Sequence, residues 1–374
     1  MGDPSKILEQ SLERASIDLS KSWVRNRRIL ENTEYVCRCL SNRAGVRLLM
    51  ACLVARIDRP KIDPRKPYTE IGDRDAFSGR SYDESFITHF INKHRLPCNP
   101  TTAFLTPAFR NIDRTLTKNT EIVGRPRQLY KYTLQLLDDV HTGRVSAKDL
   151  LTEVVRILLV MRNEKDQRMA TLLAALQHPE GTVPLSSEDI VNLIEQHLRV
   201  KNSSRLPVLV VAAAYQVVGS KIGERLLALK SHNAADEQTG ALGDVEICLE
   251  SDEHVVTAYE MKMKRVSIDD VDKALQKIAA TTTRLHNYVF ITTDLIDEHV
   301  RAYAAEASEK TGGTEIAILD CIGFLRHFLH LFHRARTNYL DAYQALVLAE
   351  PDSAVSQPLK EAFLALRQAA ETGE

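Results

Sequence analysis

The sequence predicts an α+β protein, with a mainly helical N-terminal region followed by helices sandwiching a small mixed sheet. Three observations predict it. Apolar residues recur at helical spacing through most of residues 1–200. After about residue 205, short β-branched and aromatic runs alternate with amphipathic helical stretches, the grammar of strands joined by crossovers. Lastly, 374 residues with 44% hydrophobic and 26% charged side chains can fill more than one core.

The elements follow in order. "ILEQSLERASIDLSKSWVRNRRIL" reads as a helix, and "ENTEYVCRCLSNRAGVRLLMACLVARI" as a second helix or a pair interrupted near Gly45. Pro60, Pro64, Pro67, Gly72 and Gly79 then forbid a continuous helix through an Arg-, Lys- and Tyr-rich stretch. "RLPCNPTTAFLTPAFRN" is a second irregular piece. A long irregular stretch inside a compact domain is usually functional. Helices return over 126–200, with Ser146 and Ser186 as N-caps. "LPVLVVAAAYQVVGSKIGERLLALK" is helical with a break at Gly219. "DVEICLE" and "VVTAYEMKM" are strands, "SIDDVDKALQKIAATTT" a helix capped by Ser267, and "NYVFITT" and "TEIAILD" strands on either side of a helix closed by Gly312. "CIGFLRHFLHLFHRARTNYLDAYQALVLAE" and a stretch within 350–374 are helical. The expected organisation is a helical region with irregular basic segments (1–200, the segments at 58–112), an α/β core (201–335) and a helical extension (336–374).

Composition narrows the functional classes. The apolar runs are too short to span a bilayer, and the N-terminus lacks the layout of a secretory signal, so a cytoplasmic protein is expected. Lys6 stands where a myristoylation motif requires Ser or Thr. Six cysteines show no paired metal spacing and read as reduced thiols. His327, His330 and His333 recur every third residue without a patterned Cys or carboxylate, and read as an exposed helix face. No dinucleotide fingerprint, P-loop or serine-hydrolase elbow is present. Residues 1–130 carry 23 Lys and Arg against 15 Asp and Glu, and the remainder 26 against 35. A basic part joined to an acidic one suits a protein that faces phosphate with one and holds cations with the other.

The chemistry concentrates in "GDVEICLESDEHVVTAYEMKMK", residues 243–264. A buried strand avoids unpaired charge. Yet Asp244 opens the first strand, and Glu260 and Lys262 close the second. Residues two apart in a strand share a face, so a hairpin would gather two carboxylates and an ammonium. Mg²⁺ takes carboxylate oxygens, waters and phosphate oxygens. The metal activates water, and a lysine can orient that water and offset charge developing on phosphorus. Asp244, Glu260 and Lys262 are the candidate catalytic residues. Asp244 and Glu260 are the candidate metal ligands, with Glu246, on the face of Asp244, as a further candidate.

Asp244 followed by "YEMK" in this helix–strand–strand–helix–strand setting resembles the PD-(D/E)xK nuclease superfamily, with "GD" in place of "PD". The resemblance implies an α/β/α nuclease core, and a further metal-binding acid on the helix before the motif, where Glu224 in "GERLL" matches best. "IDPRKPYTEIG", "FSGRSYDE", "LPCNPTTAFLTPAFRN" and "SHNAADEQTGALGDVEI" resemble the SacI-type restriction endonucleases over residues 20–335. That resemblance implies a Mg²⁺-dependent type II enzyme cutting double-stranded DNA as a homodimer, beside a cognate DNA methyltransferase in the same genome.

Base-reading chemistry is offered by Arg65, Lys66, Arg74, Arg80, Asn99, Arg110 and Asn111 in the irregular segments, and by His232 and Asn233 in the loop entering the first strand. Individually, each could equally contact phosphate, cap a helix or pair with Asp63, Asp73, Asp75 or Asp83. Two other functions stay open at this level. One is a nuclease-like DNA-binding protein that no longer catalyses, and the other a repair-type nuclease.

Overall fold

The computed structural model describes residues 3–99, 102–176, 184–230, 241–281 and 284–372. The chain forms two compact units, Met1–Arg168 and Met169–Glu374. The division therefore falls inside a long helix rather than at the expected position near residue 200. The reason is packing: the helix Ser187–Leu198 and the C-terminal helices contribute to the same apolar cluster as the sheet.

The first unit is helical. Helices α1 (Pro4–Ile17), α2 (Arg27–Arg38) and α3 (Ala44–Asp58) are separate, capped by Asp3 at α1 and Asn26 at α2. The run expected as one helix over 7–30 breaks between α1 and Asn26. α3 is buried along most of its length and anchors the core. Short helices α4 (Gly79–Tyr82) and α5 (Thr88–Lys93) flank a π-helical turn at Asp83–Ile87. Helix α6 (Arg127–His141) and the long α7 (Ala147–Ala175) follow.

The irregular stretch between α3 and α6 is held by buried polar contacts. The Arg47 guanidinium on α3 pairs with Asp83 at 2.7 Å, both side chains fully buried. Asp83 also accepts hydrogen bonds from Thr102 Oγ1 and the Ala103 amide, and Arg47 donates to the Asn99 carbonyl. One ion pair thus fixes three chain segments at once.

In the second unit, α8 (Ser187–Leu198) begins with a capping box at Ser186, and α9 (Leu206–Val218) is apolar all round. The five-stranded sheet has the order β1 (Glu224–Leu226), β2 (Val245–Leu249), β3 (Val255–Lys262), β4 (Asn287–Thr292), β5 (Glu315–Asp320). β1 and β3 flank β2 antiparallel, and β4 and β5 continue parallel to β3. Helix α10 (Ile268–Ala280) connects β3 to β4, and α11 (Glu298–Glu309) connects β4 to β5. Helices α12 (Cys321–Leu331), α13 (Arg336–Ala349) and α14 (Gln357–Thr372) complete the unit. A 3-10 turn at His333–Ala335 separates α12 from α13, so the stretch expected as one helix is two.

Alternation along the strands assigns the layers. Val245, Ile247, Tyr259, Val289 and Ile291 pack with α8, α9 and α12–α14. Ala258, Tyr288, Phe290, Ile316 and Ile318 face the other way, against α10 and α11. The result is an α+β chain whose second unit is helix–sheet–helix. Among the described residues, no helix is long and apolar enough to cross a membrane.

Candidate active site

β2 and β3 form the expected hairpin. Val245 pairs with Tyr259 and Glu246 with Ala258. Asp244 lies in the bend just before β2 and reaches the end of β3 beside Glu260. Gly243 allows this approach. A Cβ there would lie 2.5 Å from the Tyr259 carbonyl oxygen, closer than any side chain can come. The exposed Asp244 carboxylate is oriented by accepting the Met261 amide at 2.8 Å.

Glu260 and Lys262 share the face of Ala258, the α10 side of the sheet, while Met261 joins the opposite cluster. Lys262 Nζ lies 3.3 Å from Glu260 Oε1. The other oxygen of Glu260 accepts hydrogen bonds from Lys277 Nζ and the Tyr288 hydroxyl, both at 3.3 Å. Lys262 also reaches Asp270 Oδ1 at 3.0 Å. Burial opposes the Lys262 ammonium, but the hydrogen bond to Asp270 and the nearby Glu260 carboxylate outweigh it and hold its pKa above the usual range. Burial pushes the Asp270 carboxyl up, yet its Ser267 and Lys262 partners bring it below the ordinary value.

Asp270 divides its oxygens. Oδ2 closes the capping box of α10 with Ser267, and Oδ1 grips Lys262. The capping box was legible in "SIDD"; the grip on the lysine depends on where α10 docks. Lys277, seven residues on, is on the same helix face and meets Glu260. Asp270, Lys277 and Tyr288 are therefore site residues that sequence reasoning missed.

The other two candidate metal ligands do not join this group. Glu246 is buried, with Oε1 accepting the Leu242 amide at 2.7 Å and Oε2 paired with Lys230 at 3.0 Å. Glu224 is not on a helix but begins β1, opposite Leu249. It thus lies at the far end of β2, roughly 16 Å along the strand from Asp244. It also shares the face of Leu226 and Ile247, away from Glu260. Its carboxyl is raised by burial alone.

Among the described residues, no three or more His, Cys, Asp or Glu side chains converge as a metal nest. Two neighbouring carboxylates, one of them exposed, fit a hard cation that keeps much of its hydration, and fit poorly a structural zinc. The three histidines of α12 and the turn after it are exposed, and His330 pairs with Glu188 at 2.9 Å. The six cysteines are free thiols.

The base-reading candidates separate into two kinds. Arg65 pairs with Asp63 at 2.9 Å and Asp138 at 3.2 Å, and Lys66 with Asp73 at 2.7 Å and Asp75 at 2.8 Å. Both side chains are under one-fifth exposed, so they hold the loop together rather than face a ligand. Asn99 is half-buried, its carbonyl taken by Arg47. Arg80 pairs with Glu84 on the surface. Arg74, Arg110 and Asn111 are exposed, Asn111 in the left-handed region at φ 57°. Arg114, Lys118, Arg125 and Arg127, just beyond the expected segment, are exposed as well. His232 and Asn233 lie outside the described residues.

No curated protein shows significant sequence similarity to the chain. Residues 183–293, which contain every member of the cluster around Glu260, match the family of the SacI restriction endonuclease C-terminal domain. The chain thus carries a region similar to the C-terminal domain of the SacI restriction endonuclease.

Proposed function

We propose that this protein is a type II restriction endonuclease that hydrolyses phosphodiester bonds of double-stranded DNA with Mg²⁺, through a PD-(D/E)xK site made of Asp244, Glu260 and Lys262. The observation that carries this reading is the β2–β3 hairpin, which brings the Asp244 carboxylate to the Met261 amide, one residue from Glu260, with Lys262 3.3 Å from that glutamate. Asp244 and Glu260 would hold the cation. When bound, such a cation polarises phosphate oxygens and makes water easier to deprotonate. The Lys262 ammonium, kept charged by its two carboxylate neighbours, orients the attacking water and offsets charge building on phosphorus. Asp244 stays fixed through its bond from the Met261 amide.

Recognition is assigned to the first unit. Arg74, Arg80, Arg110 and Asn111 offer donors to base edges or phosphates, with Arg114, Lys118, Arg125 and Arg127 beside them in sequence. Arg65 and Lys66 are left out of this reading because their ion pairs tie them to the loop. A palindromic site is matched by a two-fold symmetric reader, so a homodimer is expected, and a cognate methyltransferase protects the host genome.

The test is cleavage of supercoiled plasmid with Mg²⁺ or with EDTA, by the wild type and by Asp244→Ala, Glu260→Gln and Lys262→Met. Discrete fragments with Mg²⁺ alone, abolished in the variants while DNA binding persists, are the expected result. Full-rate cutting by Asp244→Ala would overturn the site. DNA binding without cleavage by the wild type would favour a silent nuclease fold.

A further inference from the structure

We infer that Lys264 and Arg265, on the turn after β3, and Lys273, on α10, form a basic rim that grips the DNA phosphates beside the scissile bond. The inference rests on the proposed nuclease reading and adds how that site holds the backbone of its substrate.

Three observations lead to it. The first is charge. Residues 261–277 carry five Lys and Arg against three Asp, whereas residues 131–374 as a whole carry 26 Lys and Arg against 35 Asp and Glu. A polyanion is repelled by most of such a surface and needs a local basic patch where its backbone has to approach. The second is placement. Asp270 and Lys277 lie on the face of α10 that meets Lys262 and Glu260. Lys273 follows Asp270 by three residues and precedes Lys277 by four, so it lies along the same edge of the helix, yet its side chain is 64% exposed. Its hydrogen bond to Asp269 holds its pKa above the usual range, and the Lys262 ammonium is close enough to pull the other way. Lys264 and Arg265 follow Lys262 on a turn whose backbone is pinned to β4. The Thr293 amide donates to the Lys262 carbonyl at 3.2 Å, the Thr292 hydroxyl donates to the Lys264 carbonyl at 3.0 Å, and Val266 is buried. The third is availability. All three rim side chains are exposed. Asp269, the partner of Lys273, is itself exposed, and Arg265 comes no closer than 3.9 Å to Asp294. Exposed pairs of this kind are worth little, so a phosphate oxygen replaces them at small cost.

Such a rim positions rather than reads. Phosphate contacts fix the register and orientation of a duplex and carry no direct sequence information. Each phosphate neutralised by a rim cation also releases counterions, which makes the grip visible in the salt dependence of binding.

The test is fluorescence anisotropy of a labelled mixed-sequence DNA duplex with the full chain in EDTA, over a series of KCl concentrations, with circular dichroism to establish that each variant is folded. Lys273→Ala and the double variant Lys264→Ala/Arg265→Ala should bind more weakly, and the slope of log Kd against log [KCl] should fall by about 0.9 for each charge removed. Lys273→Arg keeps the charge and should keep the wild-type slope. So should Arg199→Ala, which removes an exposed cation at the end of α8, on the other side of the sheet. Wild-type slopes in both rim variants would overturn the inference. Plasmid cleavage by the wild type with Mg²⁺ is the separate control. Unchanged slopes beside intact cleavage mean that the rim alone is wrong. Reduced slopes without wild-type cleavage mean that the grip on DNA stands and the nuclease reading fails.

Discussion

Asp270 and Lys277 stand two helical turns apart on one face of α10, and each meets the opposite charge at the end of β3. Asp270 holds Lys262, and Lys277 holds Glu260. A single helix thus braces both functional side chains of the "YEMK" stretch, and its docking sets their geometry.

Asp270→Asn should therefore act through Lys262. The amide keeps a hydrogen-bond acceptor but loses the charge that fixes the ammonium. We expect kcat to fall about tenfold or more with KM little changed, the pattern of an interaction made in the transition state. Weakening the capping box should also cost on the order of 1 kcal/mol of stability, read by urea denaturation. A proportional rise in KM with unchanged kcat would place Asp270 outside the positioning role.

The Arg47–Asp83 pair sets a second expectation. Both side chains are fully buried, and Asp83 also receives Thr102 and Ala103. Arg47→Met strands a buried carboxylate and should cost about 3–5 kcal/mol. The double variant Arg47→Met/Asp83→Leu should be less destabilised than the sum of its parts, because the uncompensated charge is gone. A double-mutant cycle in urea measures the difference.

His197 gives a pH dependence. Its Nε2 faces the Leu359 carbonyl at 2.9 Å and so must donate, leaving Nδ1 to accept from the Tyr343 hydroxyl at 3.0 Å. Burial pushes its pKa down from 6.5 to about 4, against the smaller opposing effect of the Leu359 carbonyl. The folded state therefore favours the neutral ring. Above pH 6.5 both states are neutral and nothing is lost. Between pH 6.5 and about 4 the unfolded chain takes up a proton that the folded one refuses, so stability falls as the pH drops. The loss is at most roughly 3 kcal/mol across that window. His197→Gln should flatten this part of the stability–pH curve; an equally steep slope in the variant would assign the effect to other groups.

Much of this was legible in the sequence, for reasons that particular residues show. The strands of the second unit carry period-two alternation, and Ser267 and Ser186 announce their helices with Asp three residues on. That Asp244, Glu260 and Lys262 are neighbours was legible because a hairpin is local: its register follows from alternation over a short span. Lys277 and Tyr288 were not, because they reach Glu260 only through the β3–α10–β4 crossover, whose docking no local pattern encodes. Glu224 was misplaced because "GERLL" reads as a continuation of α9, whereas Gly223 in the left-handed conformation turns the chain into β1. Arg65 and Lys66 looked available because their partners, Asp63, Asp73, Asp75 and Asp138, were only some of many nearby acids.

The sixteen-residue separation of Asp244 and Glu260 also bears on the order of folding. Contacts this close in sequence form early, while those made through a crossover form late. Like charges gathered at one end of an antiparallel pair repel, so the nascent hairpin carries a repulsion of its own. Lys262, on β3, offsets part of it, and a second lysine, Lys277, arrives only when α10 docks. Helix docking thus completes the strand pair late, and Lys277→Met should speed unfolding, in stopped-flow measurements without metal, more than it slows refolding.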